Sequence, residues 1–169
     1  GVYGAFDETD LDKELAMIDL NVRAVHILTK LFLRDFIARD YGYILNVASI
    51  AGYLPGPLMA GYYASKAYVL RLSEAIYGEL RRKKSNVHIT ALCPGPVQTE
   101  FNQVANVRFR IKGKKASDVA YQAINGMFGE RRVVIPGMLM KCAWLLTRVT
   151  PTRLQLRTSY FIQHRKTKQ

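Results

Sequence analysis

The chain has 169 residues, 49% of them apolar, which is enough for one domain with a sizeable core and too few for two. Its formal charge of +12 is unevenly placed, because residues 1–106 balance 11 Lys/Arg against 11 Asp/Glu while residues 107–169 hold 14 against 2. A solvated basic face explains that asymmetry as well as an anionic partner does, so charge alone assigns no function.

The first element in chain order is a long helix from Asp10 to Arg39, where Leu11, Leu15, Ile18, Val22, Val25 and Leu28 recur at helical spacing behind the capping candidates Thr9 and Asp10. After the break at Tyr41-Gly42, Tyr43 to Ala48 reads as a buried parallel strand. Residues 50–60 form a loop, and Gly61 to Lys84 returns to a helical period that ends in four basic residues. Val87 to Cys93 is a second strand, stopped by Pro94-Gly95-Pro96. A basic, poorly periodic stretch over 102–115 follows, then a helix from Ser117 to about Phe128 and a third short strand, Val133 to Ile135. Residues 137–169 form a helical extension split by Pro151. Strands separated by long helices predict an α/β fold with right-handed crossovers and a narrow, three-stranded parallel sheet.

The longest apolar run near the C-terminus, residues 137–146, is interrupted by Lys141 and is far below the roughly 18 residues that a membrane span requires. Cys93 and Cys142 lie in unlike segments, and the expectation is a reducing, cytoplasmic setting. His26, His88 and His164 have no ligand spacing, so no metal site is expected.

Four features carry chemistry. Tyr62 precedes Lys66 by four residues, so both share one helix face, and an ammonium beside a phenol favours the phenolate. With ten tyrosines in the chain, this pairing by itself is weak evidence. Ser49 ends the strand Tyr43 to Ala48 at the sheet edge where ligands bind, so it either polarises a substrate carbonyl or merely opens the loop. Asn21 is a polar residue inside an apolar helix, which leaves open an exposed position or a buried, water-holding one. The run Cys93-Pro94-Gly95-Pro96-Val97-Gln98-Thr99 leaves the next strand at the same edge. It reads as a stiff wall for a planar ligand or as a rigid corner.

Asn21, Ile44 to Gly52, Tyr62-Tyr-Ala-Ser-Lys66 and Pro94-Gly-Pro-Val-Gln-Thr99 together resemble, in order and spacing, the signatures of the short-chain dehydrogenase/reductase family. Pro55-Gly-Pro-Leu-Met and Val134-Ile-Pro-Gly look most like its bacterial DltE-like subgroup. The resemblance implies a partial Rossmann-type doubly wound sheet, its last three strands, and an NADP- or NAD-dependent exchange of hydride between a carbonyl and an alcohol. It implies Tyr62 as acid/base, Lys66 lowering its pKa and holding the nicotinamide ribose, and Ser49 orienting the substrate. Asn21 would support a proton-relaying water, and Pro94, Gly95, Val97 and Thr99 would contact the nicotinamide. Residues 102–115 would be the substrate lid.

Gly1 looks like the end of the family's Asn-Asn-Ala-Gly motif, and no glycine-rich phosphate turn occurs in these 169 residues. The expectation is a catalytic, C-terminal part that lacks the N-terminal glycine-rich cofactor-binding half, whose strand Tyr43 to Ala48 has a bare edge, and which alone turns over little. Homo-oligomerisation is expected from that edge. Two alternatives use the basic C-terminal region: weak contact with a membrane surface, and a noncatalytic module in which Arg108 to Lys115 holds nucleic acid. Nucleic acid is the less favoured partner, because basic runs of this length arise easily.

Overall fold

The computed structural model of the chain describes residues 1–99 and 113–164. The first apolar repeat forms helix in two pieces, α1 (Leu11–Ile18) and α2 (Val25–Ala38), separated by a π-helical segment at Asp19–Ala24. Asp10 caps α1, its carboxylate accepting from the Lys13 N–H at 2.9 Å. The expected single helix is therefore interrupted by wider turns at the position of Asn21. Such π turns concentrate at functional sites.

Next come β1 (Gly42–Val47), α3 (Ala60–Arg82) and β2 (Val87–Leu92), with a 3₁₀ turn at Ile50–Tyr53 between β1 and α3. Two very short strands that the sequence did not announce, β3 (Val97–Gln98) and β4 (Lys114–Lys115), pair with each other in parallel. β4 falls inside the expected lid 102–115; residues 100–112 lie outside the described residues. The chain closes with α4 (Ala116–Phe128), β5 (Val133–Val134), α5 (Met138–Val149) and α6 (Thr152–His164), the last two separated at Pro151 as expected.

The main sheet has the order β1-β2-β5, all parallel. β2 is central and buried along its whole length, because helices cover both of its faces. On one face, Ile76 and Leu80 of α3 pack with Ile44, Val87 and Ile89, joined by Leu33 and Phe36 of α2, while Val69 and Leu70 of α3 pack with Ala48, Ala91, Cys93 and Ile135. On the other, Val119 and Ala123 of α4 pack with Leu92 and Val134. β1 lies at the edge. Its outer side opens onto a groove of about 540 Å³ shared with α2, where Val47 is half-exposed.

A buried polar ladder ties α2, β1 and α3 together. Thr29 Oγ1 donates to Asn46 Oδ1 at 3.2 Å, and Asn46 Nδ2 donates to Ser73 Oγ at 3.0 Å. Ser73 Oγ in turn donates to the Val69 carbonyl at 2.8 Å. Asn46, Thr29 and Ser73 are all buried, so each depends on the others for hydrogen bonds that water cannot replace. Replacing Asn46 with Ala leaves the Thr29 hydroxyl without its acceptor and removes the bond that Ser73 accepts, and is expected to cost about 1–3 kcal/mol of unfolding free energy in urea titrations. A variant as stable as the parent would show that the ladder does not hold these elements.

Candidate active site

In-register parallel pairing brings β1 and β2 to a common end, Val47 opposite Leu92, so the segments that follow them emerge side by side. Ser49 leaves β1 and caps the 3₁₀ turn, its Oγ accepting from the Ala51 N–H at 3.1 Å. The Ile50 N–H donates to the Pro94 carbonyl at 3.0 Å, and Ser49 Oγ reaches the same carbonyl at 3.4 Å. These bonds clamp the two strand ends to each other. Gly52 is needed just beyond, because a Cβ there would stand 2.8 Å from the Lys66 carbonyl of α3.

Tyr62 and Lys66 lie one turn apart near the start of α3, half-buried on the side that faces Ser49. The Tyr62 phenol lines the same cavity as the Ser49 hydroxyl, which favours its ionised form. Lys66 Nζ lies 6.0 Å from the Tyr62 ring centroid and donates to the Val47 carbonyl at 3.0 Å, joining α3 to the last residue of β1. Asn21 reaches the same helix from the π segment: its Nδ2 donates to Ser65 Oγ at 3.2 Å, and Ser65 Oγ donates to the Tyr62 carbonyl at 2.7 Å.

Pro94 to Thr99 forms the opposite wall. The Lys114 N–H donates to the Pro96 carbonyl at 3.0 Å and Gln98 Nε2 to the Gly113 carbonyl at 2.7 Å, so β4 braces this wall from outside. Gly95 sits directly under Met140 of α5, where a side chain would collide with the thioether. Asn21, Ser49, Tyr62, Lys66, Pro94, Gly95, Val97 and Thr99 all line one cavity of about 640 Å³, and Gly1 lines it too. A second cavity, of about 700 Å³ around Arg131, Arg132, Lys141 and Trp144, holds none of them.

The electrostatics differ in one respect from the sequence expectation. Burial pushes the Tyr62 phenol up from its ordinary value, opposed by the hydrogen bond with Ser49, which favours the ionised form. Lys66 is not what opposes the rise. Its ammonium is turned to the Val47 carbonyl, and burial pulls its own pKa down.

The sequence reading missed Tyr63 and Gln163, which line the cavity from α3 and α6. Gln163 Nε2 donates to Tyr63 Oη, and Tyr3 Oη donates to the Gln163 carbonyl at 3.3 Å. No local pattern announces a contact between residues one hundred positions apart. Burial, with Tyr62 adjacent, pushes Tyr63 up to about 12. Cys93, behind the site, is also pushed by burial up to about 12 and is an inert core thiol. Among the described residues no cluster of His, Cys, Asp and Glu forms a metal site.

These acidities have a stability consequence. The unfolded chain releases the Cys93 proton near pH 9 and the Tyr63 proton near pH 10, whereas the folded chain keeps both to about pH 12. Stability present below pH 9 is therefore lost as pH rises toward 12. Melting temperature should fall across that window, and less steeply when Tyr63 is replaced by Phe; identical pH dependence in parent and variant would contradict the assignment.

The strand ends of a parallel α/β sheet thus gather a serine, a tyrosine and a lysine in one cavity. The short chain dehydrogenase family matches residues 1–108, and the chain belongs to that family. It is 35% identical over 104 residues to a very-long-chain 3-oxoacyl-CoA reductase of Anas platyrhynchos, covering 61% of this chain and 33% of that protein. It is 36% identical over 115 residues to a probable NADP-dependent dehydrogenase of Haemophilus influenzae, covering 66% of this chain and 43% of that one. The chain thus spans well under two thirds of the length of these relatives.

The fold is that of a short-chain dehydrogenase from Sphingobium yanoikuyae in complex with NADPH, with a TM-score of 0.76 at 24% identity over 88% of this chain and 58% of that one. A Burkholderia phymatum family member in complex with NAD superposes equally well, with a TM-score of 0.76 at 24% identity over 86% of this chain and 61% of that one.

Proposed function

We propose that this chain is the catalytic part of an NAD(P)-dependent oxidoreductase that interconverts a carbonyl and an alcohol, with Tyr62 as the acid/base. The observation that carries the reading is the single cavity that Tyr62 shares with Ser49, Lys66, Asn21 and the Pro94 to Thr99 wall. The relatives' names, a 3-oxoacyl-CoA reductase and an NADP-dependent dehydrogenase, and the complexes of similar folds with NADPH and NAD support it.

The residues present fit the nicotinamide end of such a cofactor. A wall of Pro94, Gly95, Val97 and Thr99 offers backbone and one hydroxyl to a flat ring, and Lys66 is a half-buried donor suited to ribose hydroxyls. When bound, the nicotinamide supplies or accepts the hydride. The Ser49 hydroxyl orients the substrate oxygen beside the Tyr62 Oη, which gives its proton to that oxygen in reduction and takes it back in oxidation. The un-ionised phenol is the form that gives a proton in reduction, and burial favours that form. Asn21 holds Ser65 and, through it, the Tyr62 backbone, and supports a water on the path to Lys66.

The same reading covers the finer expectations. The DltE-like bacterial subgroup, a cytoplasmic location with free Cys93 and Cys142, homo-oligomerisation and weak contact with a membrane surface all belong to it. Residues 102–115 act as the substrate lid.

Replacing Tyr62 with Phe in the full-length protein is expected to lower NADPH-dependent reduction of a 3-oxoacyl thioester by at least about 100-fold while leaving NADPH affinity little changed. Activity that survives the change would overturn the acid/base assignment. The 169-residue chain by itself is expected to bind NADPH and NADH weakly, because it contains no glycine-rich turn to hold the pyrophosphate. Tight, saturable fluorescence titration of the isolated chain would contradict that expectation.

A further inference from the structure

Helix α6 is built inside out. Its inward residues are polar, with Gln163 only 1% and Ser159 only 6% exposed, while Leu154, Phe161 and Ile162 stand half-exposed or more on its outer side. Residues 161 and 163 are 200° apart on a helical wheel, so the polar cavity wall and the apolar stripe occupy opposite sides of one helix. Amphipathic helices that pack only on their own domain show the reverse arrangement.

Helix α5 presents a second stripe of the same kind. Met138, Leu139, Cys142, Leu145, Leu146 and Val149 fall within about one third of the helical circumference. All six are exposed, Val149 to 76% and Met138 to 73%. Trp144 turns inward instead, against Tyr53 at a centroid distance of 6.1 Å. Lys141 and Arg148 flank the stripe along one side. The turn between the helices is fixed by Gln155 Nε2, which donates to the Thr147 and Thr150 carbonyls at 2.8 Å each. The two stripes are therefore held in one relation to each other.

The charge around them has one sign. After Glu130 the chain contains no acidic residue and nine Lys/Arg, and on the two helices these are Lys141, Arg148, Arg153 and Arg157. A second copy of this face would bring like charges together at the rim, which opposes symmetric pairing. A polyanion without an apolar phase, such as RNA, would satisfy the charges and leave the leucine, valine and methionine side chains in water. An acidic phospholipid surface satisfies both, with phosphates for the basic rim and an acyl boundary for the stripe.

We propose that α5 and α6 together form a docking face for an anionic phospholipid bilayer, with the Met138 to Val149 stripe and Leu154, Phe161 and Ile162 seated at the acyl boundary and Lys141, Arg148, Arg153 and Arg157 on the headgroup phosphates. Gln163 closes the candidate active-site cavity from the other side of α6. Docking thus sets that cavity about one helix diameter, roughly 10 Å, from the lipid phase. Substrates partitioned in the membrane are then the class that reaches it by the shortest path. The proposal deepens the membrane contact included under the proposed function. It is independent of the redox chemistry, which is tested by activity rather than by binding to lipid.

The test is co-sedimentation of the full-length protein with vesicles of phosphatidylcholine alone and of equal parts phosphatidylcholine and phosphatidylglycerol. Binding is expected to the mixed vesicles and to weaken as salt rises. The exposed double substitution Leu145→Glu with Phe161→Glu is expected to reduce it at least about tenfold. The milder pair Arg148→Gln with Arg157→Gln removes two charges worth about fivefold each and is expected to reduce it about 25-fold, which gives a reading even if the first variant is poorly folded. Equal sedimentation with both vesicle types, or variants that bind as the parent does, would overturn the proposal. So would ultracentrifugation in which Leu145→Glu dissociates a dimer while the parent ignores vesicles, since the face would then be a self-interface. Retention on single-stranded RNA but not on vesicles would also overturn it.

Discussion

The meeting of the Ser49 hydroxyl and the Tyr62 phenol in one cavity depends on two strands ending at the same level. Parallel, in-register pairing puts Val47 opposite Leu92, and the Ile50 N–H to Pro94 carbonyl bond extends that register one step past the sheet. A slip of one residue would turn Ser49 to the other face and carry the Pro94 to Thr99 wall away from it. The buried β2, the α3 crossover and the Asn46 ladder all hold this register, so the sheet core and the site share one constraint. Gly52 serves it as well, by letting the 3₁₀ turn approach the backbone of α3 at Lys66.

The site's groups are ordered by burial as much as by charge. The phenol of Tyr62 is raised by burial and only Ser49 opposes it, while the Lys66 ammonium is engaged by the Val47 carbonyl at the open edge of β1. Lys66 therefore links helix, strand and cavity. A group that recruits Lys66 toward the cavity competes with a backbone carbonyl rather than with a second charge, and that is an inexpensive exchange at a half-buried position. Asn21 acts at one remove, because the π segment aims its amide at Ser65 and Ser65 holds the backbone of Tyr62.

Much of this was legible in the sequence. Helical and continuous-apolar periods placed α3, β1, β2, β5 and the outer ends of the α1 and α2 run within a residue or two, because each buries a face large enough to impose its period. Seven of the eight candidate residues converge on one cavity because they follow strand ends or begin a helix, where topology decides position, and Asn21 joins them from the π segment. The π segment was not legible, since its wider turns leave the apolar repeat almost unchanged. Nor were β3 and β4, two-residue pairings with too few side chains to show a period, or the contact of Gln163 with Tyr63 across a hundred residues. The direction of the Tyr62 shift also depends on burial and on where the Lys66 ammonium points, which the i, i+4 spacing does not encode.

The central claim is that Ser49 and Tyr62 act as one hydrogen-bonded unit at the ends of β1 and α3. Ultraviolet titration of tyrosine ionisation measures it most directly, with the Tyr62 signal isolated by subtracting the Tyr62→Phe variant. The account predicts a phenol ionising above the ordinary tyrosine value and moving higher still when Ser49 is replaced by Ala, since the hydroxyl that favours the phenolate is then gone. A Tyr62 signal that Ser49→Ala leaves unmoved, or that lies at or below the ordinary value, would contradict it.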